Sequence, residues 1–315
     1  MKRPCVLVVG DANLDLVLRG DVVPRFGQAE QMLDAADLVL GSSGGIVASG
    51  LARLGVATAL VARVGDDLFG ARTRELVAAA GVDVSSVLSS PEPTGLSVIL
   101  SAPADRAILT LDGAMAQLTD DDVQAAISVR RPTHVHVSAF FLIPKAAAAL
   151  PERLAALHAA GVTTSLDTNW DPAGRWKGVR ECLPQLDLLL PNAAEAMALA
   201  RAAGADPRDP EDAALRLSEA GPVVVVKDGS RGGFAVAQGS VVRAPARAVQ
   251  VVDTTGAGDS FTAGLLAAWV DGLPLATAVR WATVAGSLST RGVGGTAGQP
   301  TRAELVAALA EGDRP

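Results

Sequence analysis

Cysteine is scarce: Cys5 and Cys182 are the only two in 315 residues. Two thiols so far apart supply neither a disulfide framework nor a zinc cluster, and they read as buried thiols of a reducing compartment. Positive charge is short as well. Lys and Arg number 27 against 34 Asp and Glu, a formal net charge of -7, which excludes the basic face that nucleic-acid binding requires. Any anionic ligand must then be held locally. Long apolar runs are missing too. The VLVVG that follows Lys2 and Arg3 stops at Asp11, too short for a signal peptide, and no stretch approaches the roughly 18 to 20 apolar residues of a membrane helix. A cytoplasmic protein with no membrane partner is expected. Apolar content, by contrast, is ample, at 49% against 19% charged. That excludes disorder and suits one large α/β domain or a domain with a small appendage.

The chain alternates strand and helix patterns. Cys5 to Val9 is a continuous β-branched run, as in a strand buried on both faces of a parallel sheet. From Asp120 onward the alternation is regular. Helices are predicted near 121–129, 145–160, 192–203 and 210–220, with buried strands at 133–137, 163–166, 186–190 and 223–227; this is the βαβ pattern of a doubly wound sheet. Two regions break it. The mixed pattern from Val17 to Gly41, and short strands at 94–100 and 106–111 across the turn PADR, predict a small antiparallel sheet outside the main one. It reads as a lid over a site, as a dimerisation sheet, or as both. Asp66 and Asp67, before a helix that runs to about Ala80, read as a helix cap or as a metal pair.

The chemistry concentrates in Asp253 to Phe261, DTTGAGDSF, ahead of the apolar TAGLLAAWV. Small residues let backbone amides approach a ligand, and a helix N-terminus attracts phosphate. Gly256, Ala257 and Gly258 thus form an anion cradle. A carboxylate inside it, Asp259, would repel phosphate; it is better read as the base that takes the proton of an attacking hydroxyl. The plain alternative makes Asp259 a helix cap. In DANLDL, an extended backbone would place Asp11, Asn13 and Asp15 on one face, offering acceptors to a polyhydroxylated ligand; otherwise they form a solvated turn. Gly44 and Gly45 let a sugar ring lie against the backbone, or let their helix pack closely. No Lys-Ser/Thr pair follows these glycines, so this is not a Walker loop.

In open α/β sheets ligands sit beyond the carboxyl ends of the strands. There the chain places Asp167 and Asn169, then Asn192 and Glu195, then Lys227, Asp228 and Gly229. Asn192 and Glu195 fit a capping box; they also fit a site where Glu195 holds magnesium through water and Asn192 touches a phosphate chain. Lys227, closing a VVVVK strand, is costly to bury unpaired, which favours a phosphate partner.

Taken together, GDANLDL, the paired glycines, VGDDLFG, NAAE, KDGSRGG, DTTGAGDSFTAGLL and TRGVGG stand in an order that resembles the ribokinase-type, or PfkB-type, carbohydrate kinase family over essentially the whole length. The resemblance implies a single domain over 1–315. It would have a Rossmann-like doubly wound sheet flanked by helices and a small β lid from about 12–40 and 94–111. It also implies ATP as donor and Mg2+; a homodimer through the lid strands is expected from the dimerisation reading of the small sheet. By matching positions it implies Asp259 as catalytic base and the Gly256, Ala257 and Gly258 amides as anion hole. Asp11, Asn13, Asp15, Gly44 and Gly45 would fall in the sugar site. Asn192, Lys227, Gly229 and Gly232 would face the nucleotide, with Glu195 at the metal, and Ala282, Ala285 and Gly286 would wall the adenine. A K+ ion behind the anion hole would sit on Asp253 and Thr255.

The chain departs from the family in two places. Ser49 stands where the family usually has Asn among the substrate residues, and the stretch DTNWDPAGRW puts Trp170, Asp171 and Trp176 around the aspartate-asparagine step, more as in sugar and sugar-acid kinases than in nucleoside kinases. His134, His136 and His158 match no family role; the first two read as strand residues and the third as helix surface. The function expected is ATP-dependent phosphorylation of a hydroxyl on a small sugar or sugar acid. The alternatives are a nucleoside kinase of the same fold, or a sugar- or nucleotide-sensing protein without turnover.

Overall fold

A computed structural model describes residues 5–27, 30–102 and 106–312. Lys2, Arg3 and the Pro103 to Asp105 part of the PADR turn lie outside the described residues. The strands are β1 (Cys5–Val9), β2 (Leu14–Gly20), β3 (Leu33–Leu40), β4 (Ala57–Gly65), β5 (Asp83–Ser90), β6 (Leu96–Ser101), β7 (Arg106–Leu111), β8 (His134–Val137), β9 (Thr163–Leu166), β10 (Leu188–Leu189), β11 (Val223–Lys227), β12 (Gly233–Ala237) and β13 (Ser240–Ala244). The helices are α1 (Ser43–Arg53), α2 (Leu68–Ala79), α3 (Asp120–Arg130), α4 (Pro144–Ala147), α5 (Leu150–Ala159), α6 (Ala193–Ala202), α7 (Pro210–Ser218), α8 (Ala257–Val270), α9 (Leu275–Ser289), α10 (Gly294–Ala297) and α11 (Arg302–Gly312).

Nine strands form the main sheet in the order β13-β12-β11-β10-β9-β8-β1-β4-β5. Its faces carry separate cores because side chains alternate along each strand. Val6 and Val8 of β1 pack with α1, α8 and α9, while Leu7 and Val9 pack with α3, α5 and α6. The helix expected over 145–160 is two, α4 and α5, with Pro151 in the first turn of the second, where its missing N–H is tolerated. β12 and β13 pair antiparallel at one edge, and β5 closes the other. Among the described residues no helix is long and apolar enough to cross a membrane.

The second sheet has the order β3-β2-β6-β7 and is mixed, not antiparallel as its sequence had led us to expect: β2 and β6 pair in parallel. Both strands leave the main domain in the same direction, β2 straight after Asn13 and β6 after Gly95, and β3 and β7 return beside them. All four strands are therefore rooted at one end. One face, with Asp15, Val17, Ser97 and Ile99, is buried against the domain.

Candidate active site

Helix α8 sets the geometry. Its cap is Gly256, in the left-handed region at φ 70, where a Cβ would meet Gly295 Cα at 2.6 Å. Asp259 is therefore not the cap; it stands in the first helical turn, three residues on. The Ala257 amide donates to Thr254 O at 3.2 Å, closing a turn, and is not available as part of a cradle. The Gly256 and Gly258 amides donate to no protein acceptor among the described residues. Asp253 anchors the loop: Oδ1 accepts from the Thr255 amide at 2.9 Å and the Thr255 hydroxyl at 2.8 Å, and Oδ2 accepts from the Gly294 amide at 2.8 Å. Arg106 of β7 reaches Thr255 Oγ1 at 3.2 Å, tying the small sheet to the same loop.

Asp259 accepts a hydrogen bond from the hydroxyl of Ser43, at the start of α1. Burial pushes its carboxyl up to about 7; Ser43 and Lys227 oppose the rise, and Asp167 and Asp11 add to it. A carboxyl group in that range exchanges protons near neutral pH, as a general base must.

The DANLDL residues are not a solvated turn. Asp11, Asn13 and Asp15 are all at least nine-tenths buried. Asp11 accepts from the Gly44 amide at 2.7 Å and the Ser43 amide at 3.3 Å, holding the N-terminus of α1. Asn13 Nδ2 donates to Ser97 Oγ at 3.4 Å, while its Oδ1, though buried, has no partner. Burial, reinforced by Asp11, pushes Asp15 up to about 7 against the pull of Ser97. The paired glycines serve packing. A Cβ on Gly44 would meet Asp11 O at 2.7 Å, and one on Gly45 would meet Ser42 Oγ at 2.8 Å. Both are buried. Ser49 does not reach the site either: it is fully buried and donates to Gly45 O at 2.8 Å, the i−4 bond open to a helical serine.

On the other side of Asp259, Lys227 is ion-paired with the buried Asp167, which also accepts from Thr262 Oγ1 at 3.2 Å. The buried lysine thus has a carboxylate partner within the protein, beside the phosphate partner that its burial had led us to expect. Burial works against its charge, but Asp167, Glu195 and Asp259 outweigh it and raise the ammonium above the ordinary lysine value. Asn192 and Glu195 form the capping box of α6: Asn192 Oδ1 accepts from the Glu195 amide at 2.9 Å and Glu195 Oε2 from the Asn192 amide at 2.8 Å. Glu195 Oε1 stays clear of this box. Asp67 likewise caps α2, accepting from the Gly70 amide at 2.7 Å, so it is not half of a metal pair with Asp66.

From Lys227 and Gly258 a cleft of about 530 Å³ runs along α9, within the range of small-molecule sites. Gly229, Ser230, Gly232, Val249 and Val251 form one wall and Thr283, Gly286, Ser287 and Thr290 the other. The latter lie three or four apart, hence on one face of α9. Ala282, on the flank next to Gly286, and Ala285, farther round the helix, are fully buried against α8 beside Gly264 and do not line the cleft. Gly256 and Asn192 lie beside it without lining it. The sequence reading assigned no role to Ser43, Arg106 or Asp167. The serine could have been found from Ser42-Ser43 preceding the paired glycines, and Asp167 was singled out by its place after a strand but given no role; Arg106, across a turn in the second sheet, has no local signature.

The chain matches the model of the pfkB family of carbohydrate kinases over residues 4–302. It is 32% identical, over 97% of its length and 98% of the relative's, to an ATP-dependent ribose-1-phosphate kinase of Halopiger xanaduensis. Its fold superposes with a TM-score of 0.81 on an Arabidopsis thaliana ribokinase complexed with ribose and ATP, at 28% identity, covering 98% of this chain and 99% of that one. An E. coli protein of the ribokinase II type, solved with ATP and Mg2+, shares the fold at a TM-score of 0.83 and 21% identity, over 98% and 99% of the two chains. This chain belongs to the pfkB family of carbohydrate kinases.

Proposed function

We propose that the protein transfers the γ-phosphoryl group of ATP to a hydroxyl of a small sugar or sugar acid, with Asp259 as general base. The observation that carries this is the position of one carboxylate. Asp259 lies in the first turn of α8, between the buried polar cluster of Asp11, Asn13 and Asp15 and a cleft of about 530 Å³, and it accepts a hydrogen bond from a hydroxyl, that of Ser43. The acceptor's hydroxyl replaces Ser43 on Asp259, loses its proton there and attacks the phosphorus in line with the ADP leaving group. Its remaining hydroxyls bond to Asp15 and to Asn13 Oδ1, which lacks a partner. The Gly256 and Gly258 amides, with the α8 dipole, take the charge that grows on the phosphoryl oxygens, and Lys227 balances the phosphates. The lid keeps water from competing.

Glu195, whose Oε2 alone is used in the capping box and whose charge acts on the cleft-lining Lys227, is the group that would hold a magnesium ion through water, with Asn192 beside it. The ion, when bound, neutralises phosphate oxygens. Asp253 fits the implied potassium ion less well, since three donors already engage its carboxylate and Arg106 lies alongside; no step is assigned to it. Asp259→Asn keeps the shape and removes the base. Turnover should fall by roughly three or more powers of ten with sugar binding still measurable; near-normal turnover overturns the assignment.

The outer face of the lid supports a homodimer. Leu16, Leu18, Leu38, Val98, Leu100, Leu109 and Leu111 share it by strand register, with Leu109 60% and Leu111 52% exposed. A contiguous apolar sheet face of this kind is a protein contact surface.

A further inference from the structure

The bond between Ser43 and Asp259 serves neither of the helices it joins. Helix α1 is capped by Ser42, whose hydroxyl accepts from the Gly45 amide at 3.3 Å, and α8 is capped at Gly256. Yet the hydroxyl of Ser43 is held firmly in place. Ser42, just before it, has φ 67 and ψ 141, a combination that residues other than glycine rarely adopt. Its neighbours fix it there. Asp11 accepts from the Ser43 amide at 3.3 Å and from the Gly44 amide at 2.7 Å, and Asp15 lies so close to Gly41 that a Cβ there would be 2.0 Å from its Oδ1. Residues 41–44 are therefore clamped between two buried carboxylates, and Ser43, only 7% exposed, is turned to Asp259. Backbone strain of this kind persists where the surroundings over-determine a functional group.

Water has a path to the same carboxylate. Asp259 is only partly buried, and Gly258 beside it lines the cleft of about 530 Å³. A water molecule bonded to Asp259 would be placed as the hydroxyl of an acceptor is. Asp259 would take its proton, its oxygen would bond to the γ-phosphorus, and the bond to ADP would break with the electron pair leaving on ADP. ATP would be hydrolysed and no sugar phosphorylated. The Ser43 hydroxyl fills Oδ1 against this, and its bond also holds down the affinity of the carboxylate for a proton.

We propose that Ser43 guards the site against ATP hydrolysis: until an acceptor arrives, its hydroxyl occupies the oxygen of Asp259 that would otherwise orient water towards the γ-phosphorus. The proposal rests on the kinase reading and adds to it a means of telling an alcohol from water before the lid closes. Ser43 acts through Asp259 and is a positioning residue.

The test needs no sugar. ADP release from ATP and Mg2+ is measured without acceptor for the wild type, for Ser43→Ala and for Ser43→Ala combined with Asp259→Asn, and ATP binding is measured for each by calorimetry. The wild type should hydrolyse ATP slowly. Ser43→Ala should be at least about tenfold faster, the scale of one hydrogen bond to a charged group, and the added Asp259→Asn should abolish the gain. Damage to the fold would lower the rate and not raise it. If the alanine variant does not fold, Ser43→Gly takes its place. A serine variant that binds ATP but hydrolyses it no faster than the wild type overturns the guard, as does a gain that survives Asp259→Asn. A phosphoryl group found on Ser43 of the wild type by mass spectrometry also overturns it, since the serine would then be an acceptor. A wild type that binds no ATP sinks the kinase reading itself, and the guard with it.

Discussion

At the scale of single residues, the proposed reaction depends on a carboxyl group whose proton is held near neutrality. Asp259 titrates at about 7 and must be ionised to accept a proton, so kcat/KM should rise with pH through that value. Ser43 stabilises the ionised form through its hydrogen bond. Ser43→Ala removes that donor, and the rising limb should move to higher pH; a limb that stays in place shows that the bond is not made in solution. The same burial that raises Asp259 also raises Asp15, to about 7. Both groups bind protons more tightly folded than unfolded, so each contributes stability below its ordinary carboxylate value that is lost as pH rises through about 7. The acidic residues of the motifs could be read from the sequence because they stand among small residues where strand patterns end and helix patterns begin. Their partners could not: Ser43 and Asp259 are 216 residues apart.

At the scale of elements, α8 and the loop before it act as one part. Gly256 has a positive φ and presses on Gly295, so Gly256→Ala has no room and the wrong dihedral. The displaced loop would carry the Gly258 amide away from the phosphoryl group. We expect kcat to fall by about 100-fold, the scale of a lost oxyanion donor, with the KM for sugar little changed, measurable by steady-state kinetics. Helix and strand types were legible here because their periods are distinct; HVHV read as a strand, and His134 and His136 are indeed buried in β8, bridged by Ser165 Oγ. Which face of α9 meets the cleft was not legible. Ala282, Ala285 and Gly286 look alike in sequence, and only packing against α8 sends the alanines inward. The capping box of α6 shows the converse case, in which a local motif is satisfied locally and its further role must be tested.

For the whole molecule, the order of the motifs was enough to reveal the family, and regular βαβ alternation was enough to reveal the main sheet. The antiparallel edge, β12 and β13, and the parallel pairing of β2 with β6 were not foreseen, since pairing direction is a long-range property. The lid's outer face predicts association. Sedimentation should give a dimer, and Leu109→Lys, which places a charge in that face, should shift it to a monomer; a wild type that sediments as a monomer rules out this contact. All four strands of the small sheet are rooted at one end, and Arg106 at the other end ties it to the loop before α8. Its strand β3 ends at Leu40, three residues before Ser43. In the proposed reaction, a closing of this sheet over the sugar would act on the hydroxyl bonded to Asp259, and would couple capture of the acceptor to the freeing of the base.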